Sequence, residues 1–196
     1  LSRVLLVINA GSSSIKFAVF GVDGATPLTE LYRGEVDGLG NRARLVARDR
    51  AGARVEDMSL SPSAGHDDAL AAVLAWIEAR TAGATVIAAG HRIVHGGTRY
   101  AAPVAVTPEV LRELAALVPL APLHQPHNLT SIKSLAKRKP DVPQVACFDT
   151  AFHTSQPPVA QTYALPYRLS ESGIKRYGFH GLSYEAIARA LPEYLG

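Results

Sequence analysis

The spacing of apolar residues changes near residue 60, and that change limits what the chain can fold into. Before it the pattern is that of strands. Residues 4–8 (VLLVI) are a continuous, β-branched-rich run, which fits a buried strand. Ile15, Phe17 and Val19 alternate with Lys16, Ala18 and Phe20, giving a second strand. Asp23-Gly24 signals a turn, residues 28–36 a third strand, and 43–48 and 54–60 two more around Arg50-Ala51-Gly52. After it, helical spacing appears. Leu70, Val73, Leu74 and Ile77 share one face of residues 67–80, with Asp67 and Asp68 in the first turn. Residues 85–94 return to strand. Thr107-Pro108 opens a helix whose apolar face is Val110, Leu111, Leu114 and Leu117. Further helices are predicted over 128–138, stopped by Pro140, and over 183–191, with a strand at 143–148 between them. A β-meander followed by alternating helices and strands is an α/β arrangement on a mixed sheet of the five-stranded type.

Composition narrows the function. Apolar residues are 47% and charged residues 19% of 196, a globular balance with enough chain to bury a core. The net charge is +3, and its one concentration, Lys137-Arg138-Lys139, closes a predicted helix, where cations favour the dipole. Nucleic-acid binding needs a larger basic surface. No apolar stretch reaches the roughly 18 residues of a membrane span, and residues 4–8 are too short for a signal-peptide core. Cys147 is alone, so no internal disulfide forms. These features read as a cytoplasmic protein.

Five loops at predicted strand ends, where α/β sheets place their ligands, carry the candidate chemistry. Asn9–Lys16 (NAGSSSIK) lacks P-loop spacing. It is either a polar turn or a phosphate cradle of backbone N–H groups, hydroxyls and a lysine. Gly90–Gly97 (GHRIVHGG) brackets Arg92 with glycines; its guanidinium can clamp a carboxylate or phosphate, or sit in a structural ion pair. His91 and His95 lack carboxylate companions and read as packed or hydrogen-bonded. Residues 119–128 (PLAPLHQPHN) form a stiff loop in which His124 is a phosphate donor or a structural residue. Asp149, after an apolar strand, suits Mg²⁺ or its waters, or else a cap or turn. Residues 177–184 (YGFHGLSY) hold a Phe-His pair between two glycines just before a helix.

Taken together, NAGSSSIKF, GHRIVHGG, APLHQPHN, FDTAFH and YGFHGLSY, in this order and spacing, resemble the acetate kinase family over essentially the whole chain. Gln125 and His127 stand where many members have Asn and Pro. The resemblance implies an actin-like (ribonuclease H-like) ATPase half-domain over residues 1–150, on the acyl and phosphate side. Residues 151–196 would then lead towards a nucleotide-binding domain. It also implies a protein about twice this long, a homodimer when complete. The other half would carry the adenosine pocket, a second arginine and a metal-binding glutamate, so the isolated chain would be inactive.

The reaction so implied is reversible phosphoryl transfer from ATP to acetate, giving acetyl phosphate and ADP, with Mg²⁺ or Mn²⁺ as cofactor. By resemblance Arg92 orients the carboxylate and neutralises the moving phosphoryl, His180 stabilises the same charge, and Asp149 helps place the metal together with Asn9. Asn9, Ser12, Ser14, Lys16, His124 and His180 face the phosphates; Val94, Leu123 and Phe179 take the methyl group. Physical chemistry agrees with that division. Two like charges ~4 Å apart at an effective dielectric near 20 repel by about 4 kcal/mol, so cations must converge on the site. Acetate, with a pKa near the ~4.3 of a glutamate side chain, is already ionised at neutral pH. No base is needed, which gives His180 an electrostatic role. A propionate or other short-chain acyl kinase fits the same residues, since one methylene is worth only ~1–3 kcal/mol. A sugar kinase of the same superfold would open on Asp rather than Asn9 and want a more polar pocket. A pure interaction module has no use for Arg92, Asp149 and His180 at strand ends.

Overall fold

Alternation along the first two strands gives the sheet two unlike faces. In the computed structural model, which describes residues 3–22, 24 and 28–195, β1 (Arg3–Ala10) and β2 (Ser14–Gly21) turn Val4, Leu6, Ile8, Ile15, Phe17 and Val19 inward. Leu5, Asn9, Lys16 and Ala18 lie on the other face, as period-two geometry requires. The meander continues through β3 (Thr29–Asp37), β4 (Arg44–Asp49) and β5 (Arg54–Ser59), all antiparallel. Of the predicted turn at Asp23-Gly24, Asp23 lies outside the described residues; Gly24 has the left-handed φ of 89° that a turn glycine supplies.

The chain then crosses over through α1 (His66–Arg80) to β6 (Thr85–Ile93), which lies parallel to β1. The carboxylate of Asp68 accepts from Gly65 N–H at 3.0 Å, satisfying one of the helix's unpaired amino-terminal donors. A two-residue strand, β7 (Val104–Ala105), precedes α2 (Pro108–Ala116), whose Thr107 cap accepts from Val110 N–H at 3.2 Å. Next come α3 (Gln125–Arg138) and β8 (Gln144–Phe148), parallel to β6. The sheet order is β5-β4-β3-β2-β1-β6-β8-β7. Its five central strands, β3-β2-β1-β6-β8, are the expected mixed five-stranded type. The described sheet has eight, because β4 and β5 prolong the meander and β7 pairs with the outer edge of β8. Beyond it run α4 (Pro158–Gln161), α5 (Tyr167–Glu171) and α6 (Gly181–Leu195). No described helix is long and apolar enough to cross a membrane.

The inward face packs on α1 and α3. Leu70, Val73, Trp76 and Ile77 of α1 join the β1–β4 core with Leu135 of α3. Trp76 meets Phe17 and Tyr32 edge-on, with ring centroids 5.8 and 5.2 Å apart. A second cluster holds Ile93, Leu114, Leu129, Ile132 and Phe148. Each such side chain contributes about 1.5–3 kcal/mol on burial. This packing makes the carboxyl ends of β1, β6 and β8 a rigid rim, from which the loops after Asn9, Arg92 and Asp149 leave. The other two candidate loops, expected at strand ends, lie between helices, 119–128 running into α3 and 177–184 at the start of α6.

Candidate active site

Three of those strand ends bring one ion pair together. Ile8 pairs with His91 across the parallel β1–β6 ladder, so Asn9 and Arg92 project from the same sheet face. Arg92 is opposite Cys147 on β8, and Asp149 follows that strand directly, its N–H donating to Ile93 O at 2.9 Å. Arg92 Nε and Nη2 donate to Asp149 Oδ2 at 3.0 and 2.5 Å, and Nη1 donates to Asn9 Oδ1 at 3.1 Å. Asp149 is 1% exposed, and the arginine side chain 29%. A guanidinium has five N–H donors, so two remain for a ligand. Arg92 thus sits in an ion pair and still has donors to offer.

The loop from Tyr177 to Gly181 docks on the segment after Asp149. His153 Nε2 donates to Phe179 O at 3.0 Å, and Gly181 N–H donates to Asp149 O at 2.9 Å. Neither glycine admits a side chain: a Cβ on Gly178 would overlap the His153 ring, and one on Gly181 would overlap Asp149 O. His180 sits between them at φ 56°, a left-handed backbone uncommon outside glycine. Its carbonyl accepts from Ser183 and Tyr184 N–H as α6 begins. This turn brings His180 to the cleft that Arg92 and Asp149 also line. Phe179 lies edge-on to His95, 5.8 Å between centroids.

A cleft of about 420 Å³ results, lined by Arg92, Val94, His124, Asp149, Phe179 and His180, six of the expected residues. Leu123 is not among them. It is 73% exposed, because the turn from Ala121 to His124, closed by His124 N–H to Ala121 O at 3.1 Å, directs Leu123 outward. Leu120 and Ala121 form that wall instead; a three-residue 3₁₀ turn at Val118–Leu120 leaves no periodicity by which sequence could have shown it. Asn9 reaches the site through Arg92. Ser12 is exposed, Ser14 is half-buried, and neither lines the cleft. Lys16 pairs across the hairpin with Asn9 and so shares its face, but borders a separate hollow with Arg33, Glu35 and Arg48. The Asn9–Ser14 loop is held from below by His66, whose Nε2 donates to Gly11 O at 2.6 Å.

His91 and His95 are packed in the interior, as expected. His91 is 1% exposed, and burial lowers its pKa to about 4; its Nδ1 lies 3.4 Å from Ser131 Oγ. His95 is also lowered by burial; its Nδ1 accepts from Gly97 N–H at 2.9 Å. Burial raises the Cys147 thiol, with Glu185 adding to the effect. Among the described residues no group of three or more His, Cys, Asp or Glu is placed to hold a metal ion. A metal at this site would rely on one carboxylate, one amide oxygen and its own phosphate ligands.

The sequence matches the model of the acetokinase family over residues 4–196. The chain belongs to that family. It is 49% identical over 197 aligned residues to an acetate kinase of Rhodopseudomonas palustris, covering 100% of this chain and 50% of the relative. Among solved structures, the acetate kinase of Porphyromonas gingivalis superposes with a TM-score of 0.85 at 34% identity, covering 98% of this chain and 49% of that one. A propionate kinase from Francisella tularensis superposes with a TM-score of 0.86 at 28% identity, covering 98% and 49%. The fold is therefore the actin-like α/β fold of the acetokinases. The chain spans about half the length of the curated relatives it matches.

Proposed function

We propose that this chain supplies the acyl-binding half of an acetate kinase, in which ATP and acetate exchange a phosphoryl group reversibly to give ADP and acetyl phosphate. One observation carries the reading. A guanidinium with two N–H groups to spare opens into a cleft that apolar Val94, Leu120, Ala121 and Phe179 also line. That combination suits a small anion with a hydrocarbon tail. The remaining Arg92 donors hold the carboxylate and then the phosphoryl oxygens. His180 and His124 add donors where charge builds up, and the Asp149 and Asn9 contacts keep the guanidinium from swinging away. Preorganised donors of this kind act without reorganisation at the moment of transfer.

Mg²⁺ or Mn²⁺ fits the residues in a limited way. Asp149 Oδ2 accepts two of the Arg92 hydrogen bonds, which leaves Oδ1 for the ion or its waters, and Asn9 Oδ1 accepts the third. One carboxylate with substrate phosphates is the usual setting for magnesium. Bound there, the ion would neutralise phosphate charge. Ser12, Ser14 and Lys16 are assigned to the nucleotide phosphates brought in by the other half of the protein. Residues 1–150 form the acyl-side domain in this reading, and 151–196 the connection to the nucleotide domain. The full-length protein then works as a cytoplasmic homodimer, and the chain alone is inactive.

A propionate kinase is the second reading, favoured by the superposition on the Francisella enzyme. Both readings are tested by incubating the full-length protein with ATP, Mg²⁺ and either acetate or propionate, then trapping acyl phosphate as a hydroxamate. Acetate-dependent hydroxamate supports the first; product from propionate alone selects the second; none from either contradicts both.

A further inference from the structure

The amide of Asn128 joins the two loops that hold the Arg92 site. Asn128 lies in the first turn of α3 and is 1% exposed. Its Oδ1 accepts from Val94 N–H at 3.0 Å, and its Nδ2 donates to Ala10 O at 2.7 Å. These partners lie 34 and 118 residues away in sequence. A backbone N–H can only donate and a carbonyl only accept, so together they fix which way the amide faces. The contact sits where the sheet stops. The last β1–β6 pair is Ile8 with His91, and beyond it the two strands have no ladder of their own. Ala10 follows Asn9, which accepts from Arg92; Val94 comes two residues after Arg92 and lines the cleft. Asn128 therefore replaces the missing rung at the point where Asn9 and Arg92 must stay 3.1 Å apart. Gln125, one turn earlier and wholly buried, braces the next stretch: its Oε1 accepts from His95 N–H at 3.2 Å, and its Nε2 donates to His95 O at 3.0 Å.

We infer that Asn128 is a positioning residue, setting the Arg92 guanidinium by tying the ends of β1 and β6 to one helix. The inference rests on the proposed reading, in which Arg92 handles the acyl substrate. Asn128→Ala removes both hydrogen bonds. Asn128→Asp keeps the shape and the Val94 contact but turns the donor facing Ala10 into an acceptor, and it serves where the alanine variant does not fold. In the full-length protein each lowers kcat by about 10²-fold, the loss expected from a misplacement near 1 Å. A change of stability alone would not move the decisive readout, which is non-additivity. In an Arg92→Lys background, where the guanidinium is already gone, Asn128→Asp lowers kcat by less than about threefold. Ile132→Val, one turn along α3 in the buried core, lowers Tm and leaves kcat at the parent value. Folded Asn128 variants with parental kcat, or equal losses in both backgrounds, overturn the inference while leaving the proposed function standing. Absence of acyl phosphate from the wild-type protein removes the reading itself and the inference with it.

Discussion

Arg92 and Asp149 meet through a single carboxylate oxygen: two guanidinium nitrogens converge on Oδ2, at 3.0 and 2.5 Å. Asp149 takes one edge of the guanidinium and Asn9 one further N–H, which leaves two N–H groups for a ligand. Asp149 is buried and Arg92 is only partly exposed, so neither group is free to turn to water without loss.

Removing the carboxylate should therefore cost stability and activity together. Asp149→Ala leaves Arg92 without its partner in a largely desolvated place, a change worth about 3 kcal/mol for a broken buried pair. Urea unfolding should show that loss, and kcat of the full-length protein should fall by at least ~10²-fold. Asp149→Asn keeps an acceptor and should lose less stability. Equal stability for all three proteins would argue against the pairing.

The docking of the Phe179–His180 turn makes a second prediction. Gly178→Ala forces a methyl into the His153 ring, and Gly181→Ala forces one into the Asp149 carbonyl. Each should lower stability by about 1–3 kcal/mol through overpacking and strain, with kcat reduced by displacement of His180. Steady-state kinetics and thermal unfolding of the two variants check this; parental values in both would mean the turn is not held as described.

Much of this was legible in the sequence, and what escaped it has physical causes. Alternation over residues 15–20 and helical spacing over 67–80 reflect local burial, and β2 and α1 appear within a residue or two of the expected bounds. Helix α3 begins at Gln125 rather than 128 because Pro126, read as a loop stiffener, sits in the first turn, where its missing N–H has no helical partner to lose. The two-residue β7 exists only through pairing with β8. Arg92 and Asp149 stand out by residue type at strand ends, whereas His180 precedes α6 and takes its expected role from the family resemblance. That Arg92 and Asp149 hold each other, 57 residues apart, is a tertiary fact with no local signature. Leu123 turns away from the cleft for a related reason, since a single turn decides which neighbour faces it.

His91 predicts a pH dependence of stability. Its folded pKa is lowered from 6.5 to about 4, so the unfolded chain binds more protons between those values. Stability is then complete above pH ~6.5 and falls as pH drops towards 4, by on the order of 3 kcal/mol for this group. Burial shifts His95 and His127 in the same direction. Urea midpoints at pH 7.5 and 4.5 should differ accordingly, and His91→Gln should reduce the difference. An unchanged pH slope in that variant would show that His91 does not titrate as described.

In the proposed function the apolar wall sets acyl length. Val94 is 7% exposed and lines the cleft; Val94→Ala frees room for about one more methylene, worth ~1–3 kcal/mol in discrimination. The propionate-to-acetate ratio of kcat/KM should rise by roughly tenfold in the full-length protein. An unchanged ratio would place the acyl chain elsewhere.

The central claim is that Arg92 carries the charge of the transferring group, and the most direct measurement is kcat for acyl phosphate formation by full-length Arg92→Ala. An arginine in that role is worth roughly 10³–10⁵ in rate, so a folded variant should lose at least three orders of magnitude. A folded Arg92→Ala protein that turns over near the parental rate would contradict the account.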